Sequence, residues 1–191
     1  AMSRLLDPVL SDGDAHHTAE IVERLQIADR HQWILRQWLG ELVTRGFVGR
    51  EAGGYRRLRP PPPPTRHDLV AVCEDLGYPA PFGEFLAAAN ERLDELVADR
   101  LSLQELLFPD GSTATADAFY RDNVISRHLN QKACEAVSDT VRRLMTERSP
   151  VRILELGAGV GGMTNAIVGG LAGLPVEYHF TDVSTFFLNA A

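Results

Sequence analysis

One stretch limits what this chain can fold into more than any other: VRILELGAGVGGMTNAIVGGLAGLPVEYHFTD, residues 151 to 182. It opens with an apolar run closed by a carboxylate and a glycine-rich turn, the pattern of a buried parallel strand running into a helix. Side chains alternate along a strand, so Val151, Ile153 and Glu155 share one face and Arg152, Leu154 and Leu156 the other. The turn Gly157-Ala158-Gly159-Val160-Gly161-Gly162 then falls at the carboxyl end of the strand, the edge where open parallel sheets bind small ligands. Glycine suits that place because the backbone bends tightly there and a ligand can approach it without meeting Cβ atoms. A helix is expected over residues 163 to 171, with Met163, Ala166 and Ile167 inward. A second strand is expected over 176 to 180, ending at Thr181-Asp182. Strand, glycine turn, helix, strand and acid in that order make the first half of a nucleotide-binding βαβ unit.

Two cofactor classes use such a unit. Gly157, Gly159 and Gly162 satisfy G-x-G-x-x-G, and Asp182 follows the first of them by 25 residues, so the glycines alone permit a nicotinamide or flavin reading. Glu155 separates the two. A carboxylate at the end of the strand favours a cationic ligand group, as in the sulfonium and ammonium of S-adenosylmethionine, and repels the pyrophosphate of a dinucleotide.

ILELGAGVGGMT followed by YHFTDVSTFFLNAA resembles the first cofactor motif of class I S-adenosylmethionine-dependent methyltransferases. More narrowly, it resembles the methyltransferase domains built into polyketide synthases and some nonribosomal peptide synthetases. Residues 106 to 137, LLFPDGSTATADAFYRDNVISRHLNQKACEAV, are similar to the segment before that motif in those domains. The resemblance implies that Glu155, Gly157, Ala158, Gly159 and Asp182 bind S-adenosylmethionine, with Asp182 on the ribose hydroxyls. Asp182 also suits a plain helix cap, and Gly161 and Gly162 plain helix packing. Tyr120 and Asn130, in the preceding lid segment, are expected to reach the cofactor or acceptor; helix packing accounts for them almost as well.

The remaining chain is read as mainly helical. The 191 residues, 45% hydrophobic, suffice for one or two small domains, and the net charge of −7 does not suit a binder of polyanions. Cys73 and Cys134 sit at apolar helix positions and read as reduced core thiols. No apolar run approaches a membrane span and no signal peptide precedes Met2, so a cytoplasmic protein is expected, with no membrane partner. Helices are expected over 14 to 25 (Ile21, Val22 and Leu25 inward) and over 28 to 45 (Ile34, Leu35, Trp38, Leu39 and Leu42 inward). A hairpin follows, with residues 47 to 50 and 55 to 58 as strands. Helices plus this hairpin make a winged-helix-like unit over 1 to 59. Its seven arginines between Arg30 and Arg59, against Glu41 and Glu51, leave a local charge of +5. A solvated or packing face explains that best, ahead of an acidic protein partner and of nucleic acid.

Pro60 to Pro64 reads as a stiff polyproline linker. A helical lid is expected over 65 to 150. Its first helix is opened by Thr65, with Asp68 at the third position and Leu69, Val72, Cys73 and Leu76 inward. After a break at Gly77-Tyr78-Pro79-Ala80-Pro81, a stripe runs from Phe82 to Val97. Two further helices, over 113 to 121 and 124 to 147, meet at Asp122-Asn123, the second burying Ile125, Leu129, Ala133, Val137, Val141 and Leu144. Ser149-Pro150 then stops the chain before the strand. The fold class is thus mainly α with a small winged-helix-like hairpin, leading into the start of a Rossmann-like methyltransferase sheet over 151 to 191.

Two strands cannot cover both faces of a parallel sheet, so the sheet reads as truncated, to be completed by further chain or a partner. No base, metal spacing or catalytic residue is visible. His16-His17 and His128 read as surface histidines and His179 as packed. The resemblance implies methylation of an acyl chain tethered to an acyl carrier protein, at carbon before oxygen, among other synthase domains. The alternative is a non-catalytic remnant serving as a structural or docking module.

Overall fold

The computed structural model describes residues 2–60, 68–145 and 150–190. In chain order the helices are α1 (Met2–Leu10), α2 (Thr18–Arg24) and α3 (Gln32–Thr44), followed by strands β1 (Val48–Glu51) and β2 (Gly54–Arg57). Then come α4 (Leu69–Asp75), α5 (Ala80–Glu91), α6 (Leu93–Val97), α7 (Leu103–Leu107), α8 (Ala114–Tyr120) and α9 (Val124–Leu144). β3 (Val151–Leu156), α10 (Gly162–Gly170), β4 (Val176–Thr181) and α11 (Thr185–Ala190) follow. The chain forms two compact units, Ala1–His67 with Leu86–Leu106, and Asp68–Phe85 with Leu107–Ala191. Residues 65 to 150, expected as one lid, therefore contribute to both. Among the described residues no helix is long and apolar enough to cross a membrane.

In the first unit β1 and β2 pair antiparallel from Val48–Arg57 to Glu51–Gly54, closed by Ala52 and Gly53 at φ 49° and 81°, the left-handed pair that a two-residue hairpin demands. Leu35, Leu39 and Leu42 of α3 pack with Ile21, Val48 and Tyr55, as their helical spacing predicts. Helix α1, which the sequence reading missed, contributes Leu6, Val9 and Leu10 to that core. His16, expected at the surface, is 4% exposed. Its backbone bridges Tyr55, and its ring lies between Asp12 and Glu20.

The basic stretch is largely compensated. Arg30 bonds Asp99, Arg45 bonds Glu41, Arg56 bonds Glu51 and Arg57 bonds Asp7. Arg50 and Arg59 lie over the rings of Tyr55 and Phe47.

In the second unit β3 and β4 pair in parallel from Val151–Val176 to Leu156–Thr181. One face of the pair, with Val151, Ile153, Val176 and Tyr178, packs on Ile167 and Leu171 at α10 and on Cys134 and Val141 of α9. The other face is bare: Leu154 is 61% and Leu156 77% exposed, where a strand buried on both faces was expected. His179 is exposed with them, not packed.

Helix α9 presents the expected stripe only in part, with Val137 and Val141 in the core. Asn130, Cys134, Ser138 and Val141 are buried, while Ile125, Leu129 and Leu144 are exposed. Small residues win that face because α10 approaches closely: a Cβ on Gly170 would collide with the Cys134 sulfur. Asp68 caps α4, accepting from the N–H groups of Val70 and Ala71; Thr65, expected to open this helix, lies outside the described residues. In α4 only Cys73 is buried, with Val72 and Leu76 exposed. The expected break lies between α4, which ends at Asp75, and α5: Gly77 has φ 83°, the N–H groups of Gly77 and Tyr78 donate to the carbonyls of Glu74 and Cys73, and Pro81 falls in the first turn of α5, where the missing N–H costs nothing. Of the polyproline linker, residues 61 to 64 lie outside the described residues, as does Ser149.

Candidate functional site: the glycine turn after β3

β3 delivers Glu155 to the face that meets α10, one step beyond the last core residue, Ile153. Its Oε2 accepts from the Thr164 hydroxyl at 2.6 Å, in the first turn of α10, and from the Tyr178 hydroxyl at 2.8 Å, from β4. The Thr181 hydroxyl donates to the Glu155 carbonyl at 2.5 Å. Burial, then the hydrogen bond to Glu155 and that group's charge, push the Tyr178 hydroxyl well above the usual tyrosine range. Among the described residues no cation is paired with Glu155.

The turn itself is fastened to the end of β4. The N–H groups of Gly157 and Ala158 both donate to the Thr181 carbonyl at 3.0 Å. Gly159 N–H donates to Asp182 Oδ2 at 2.9 Å, and Ser184 N–H to Asp182 Oδ1 at 2.8 Å. These backbone donors, Ser184 first, hold the Asp182 carboxyl below the usual range. Gly157 and Gly159 have φ of 72° and 58°, and a Cβ added to either would meet nothing within 4 Å. Their side of the turn is open space, so the glycines answer to backbone conformation and free access, not to packing. Gly162 differs, since a Cβ there would lie 2.7 Å from the Tyr120 carbonyl oxygen.

A cavity of about 590 Å³ adjoins the turn. Gly159, Val160 and Gly161 form one wall, Thr164, Tyr178 and Phe180 another, and Thr113, Asp117 and Arg121 of the α8 segment a third. Asp117 and Arg121 are paired at 3.3 Å. The first unit has two smaller hollows, one of about 20 Å³, too small for a ligand, and one of about 260 Å³ lined by Arg4, Leu5, Pro8, Leu25, Leu93 and Asp94.

Of the residues singled out from the sequence, Glu155, Gly157, Ala158, Gly159 and Asp182 come together around the turn, but only Gly159 among them lines the cavity. Tyr120 and Asn130 do not line it either. Asn130 is buried and its amide donates to the carbonyls of Tyr120 at 3.1 Å and Gly162 at 3.3 Å, which ties α8 and α9 to the start of α10. Tyr120 offers its backbone to that joint, and its ring is exposed. Sequence reading missed Thr164 and Tyr178. The signal lay in the register, since Tyr178 pairs with Ile153, two residues before Glu155 on the same face.

No family model matches the chain. The chain is 34% identical over 182 residues to the pyochelin synthetase PchF of Pseudomonas aeruginosa, covering 91% of this chain and 10% of that protein. It is 29% identical over 202 residues to the polyketide synthase ThaQ of Burkholderia thailandensis, covering 96% of this chain and 9% of the synthase. The DszA carbon methyltransferase superposes with a TM-score of 0.77 at 26% identity, over 98% of this chain and 52% of that one. The CurJ carbon methyltransferase, at 18% identity and a TM-score of 0.76 over 98% of this chain and 52% of that one, shares the fold. The chain thus spans about a tenth of these curated relatives and about half of these structural neighbours.

Proposed function

Since its homologues are the methyltransferase domains of polyketide and nonribosomal peptide synthases, we propose that this chain binds S-adenosylmethionine at the turn after β3 and serves methyl transfer in polyketide assembly. The observation that carries the reading is Glu155: a half-buried carboxylate without a cationic partner among the described residues, beside glycines whose open side admits a ligand. That donor set fits a cationic ligand and disfavours a pyrophosphate. When bound, the cofactor supplies a methyl group made electrophilic by the sulfonium. Glu155 attracts the cationic end, Gly157 and Gly159 admit close approach, and Ala158 stays fastened to Thr181 as part of the turn. Asp182 keeps lone pairs free for ribose hydroxyls while holding the turn through Gly159.

The acceptor in this reading is an acyl chain tethered to a carrier protein and methylated at carbon rather than oxygen, supported by the 26% identity to the DszA carbon methyltransferase. The other synthase domains are the expected partners. The second reading, a non-catalytic structural or docking module, is favoured by one feature. Asp117, the carboxylate on the cavity wall, is already paired with Arg121, which leaves no free base there among the described residues.

Calorimetric titration with S-adenosylhomocysteine and with NADH tests the cofactor. Binding of the first, weakened about tenfold by Glu155→Gln, is the expected result. Binding of NADH alone contradicts it. Incubation with S-adenosylmethionine and a β-ketoacyl carrier protein, followed by mass spectrometry of the acyl chain, separates the enzyme from the docking module.

A further inference from the structure

We infer that Tyr178 and Thr164 are positioning residues that aim the Glu155 carboxylate at the cationic end of the ligand; the inference rests on the reading just given. Both hydroxyls donate to the same oxygen, Oε2, at 2.8 and 2.6 Å, and among the described residues Oε1 has no partner. A carboxylate held by one oxygen from two sides cannot rotate freely, which leaves its second oxygen available to a guest. The two donors come from different elements. Tyr178 stands in β4 opposite Ile153, and Thr164 in the first turn of α10. The strand pair and the helix therefore fix one side chain jointly.

Both residues also line the 590 Å³ cavity. Neither hydroxyl has another hydrogen-bond partner among the described residues, and packing alone does not call for either: valine fills the place of threonine and phenylalanine that of tyrosine. The hydroxyls answer to Glu155, and Glu155 lacks a fixed cation. Two neutral donors keep the carboxylate in place without cancelling its charge, as an arginine would, so the field remains available to a positively charged guest.

The test compares the 191-residue chain with its Tyr178→Phe, Thr164→Val and Thr164→Ser variants, each titrated with S-adenosylmethionine and with 5′-methylthioadenosine, which lacks the charged amino-acid end. Tyr178→Phe and Thr164→Val should each weaken S-adenosylmethionine about tenfold and leave methylthioadenosine within about twofold, with Thr164→Ser restoring the parent value. Unchanged affinity for both ligands overturns the inference, and so does a parallel loss of both, which would mark support of the fold. If the parent chain binds neither ligand, the methyl-donor reading falls and this inference with it. Parent binding that Glu155→Gln weakens and Tyr178→Phe does not overturns the inference alone.

Discussion

His16 has a carboxylate on either side: Nε2 lies 2.9 Å from both oxygens of Asp12, and Nδ1 lies 2.9 Å from Glu20, without the alignment of a hydrogen bond. The hydrogen bond His16 donates to Asp12, then the close Glu20 carboxylate, outweighs burial and raises the imidazole above its ordinary 6.5. A group whose folded value is raised contributes stability fully below the unfolded value and loses it as pH rises through the folded one. The carboxyls of Asp12 and Glu20 are lowered from 3.8 and 4.5, so their share is present above those values and is lost as pH falls through the folded ones. Thermal melts should show the first unit most stable between these limits, and His16→Gln should remove the decline on the alkaline side. An unchanged alkaline decline in that variant would refute the pairing. The sequence concealed this residue because its burial depends on a backbone bridge to Tyr55, far along the chain, whereas Glu155 was legible from two neighbouring glycines.

Between α9 and α10 the contact is set by what is missing from the side chains. Gly170→Ala puts a methyl group into the Cys134 sulfur and should cost about 1–3 kcal/mol. Cys134→Ala in the same chain should recover part of that loss, a coupling that a double-mutant cycle in denaturant would measure. Gly157→Ala meets no atom but forces a side chain to φ 72°. It should cost about 1–2 kcal/mol and weaken ligand binding more than Gly170→Ala does. Equal binding by the two variants would contradict the separate roles. Helix positions along 124 to 144 were readable from spacing, and so were Cys134, Val137 and Val141 on the buried side. Apolar periodicity also pointed to Ile125 and Leu129, which are exposed, while the close approach of α10 turned the polar Asn130 and Ser138 inward.

At the scale of the whole molecule, the hairpin, the α3 stripe and the strand–turn–helix order were all written in local patterns. The division of residues 65 to 150 between two units was not, because only long-range contacts decide it. The bare face of the β3–β4 pair carries Leu154 and Leu156 side by side. Leu156→Lys should therefore reduce concentration-dependent association of this chain in sedimentation runs, and association unaffected by it would show that the face is not used. The paired arginines around the hairpin leave little free positive charge. Affinity for duplex DNA should be weak, without the steep salt dependence of a dedicated phosphate binder.

One measurement reaches the centre of this account, a crystal structure of the chain soaked with S-adenosylhomocysteine. The expected result has the ligand along Gly157 and Gly159, its ammonium within hydrogen-bonding distance of Glu155 Oε1, and the Thr164 and Tyr178 hydroxyls still on Oε2. Ligand density elsewhere, with the glycine turn closed by its own side chains, would contradict it.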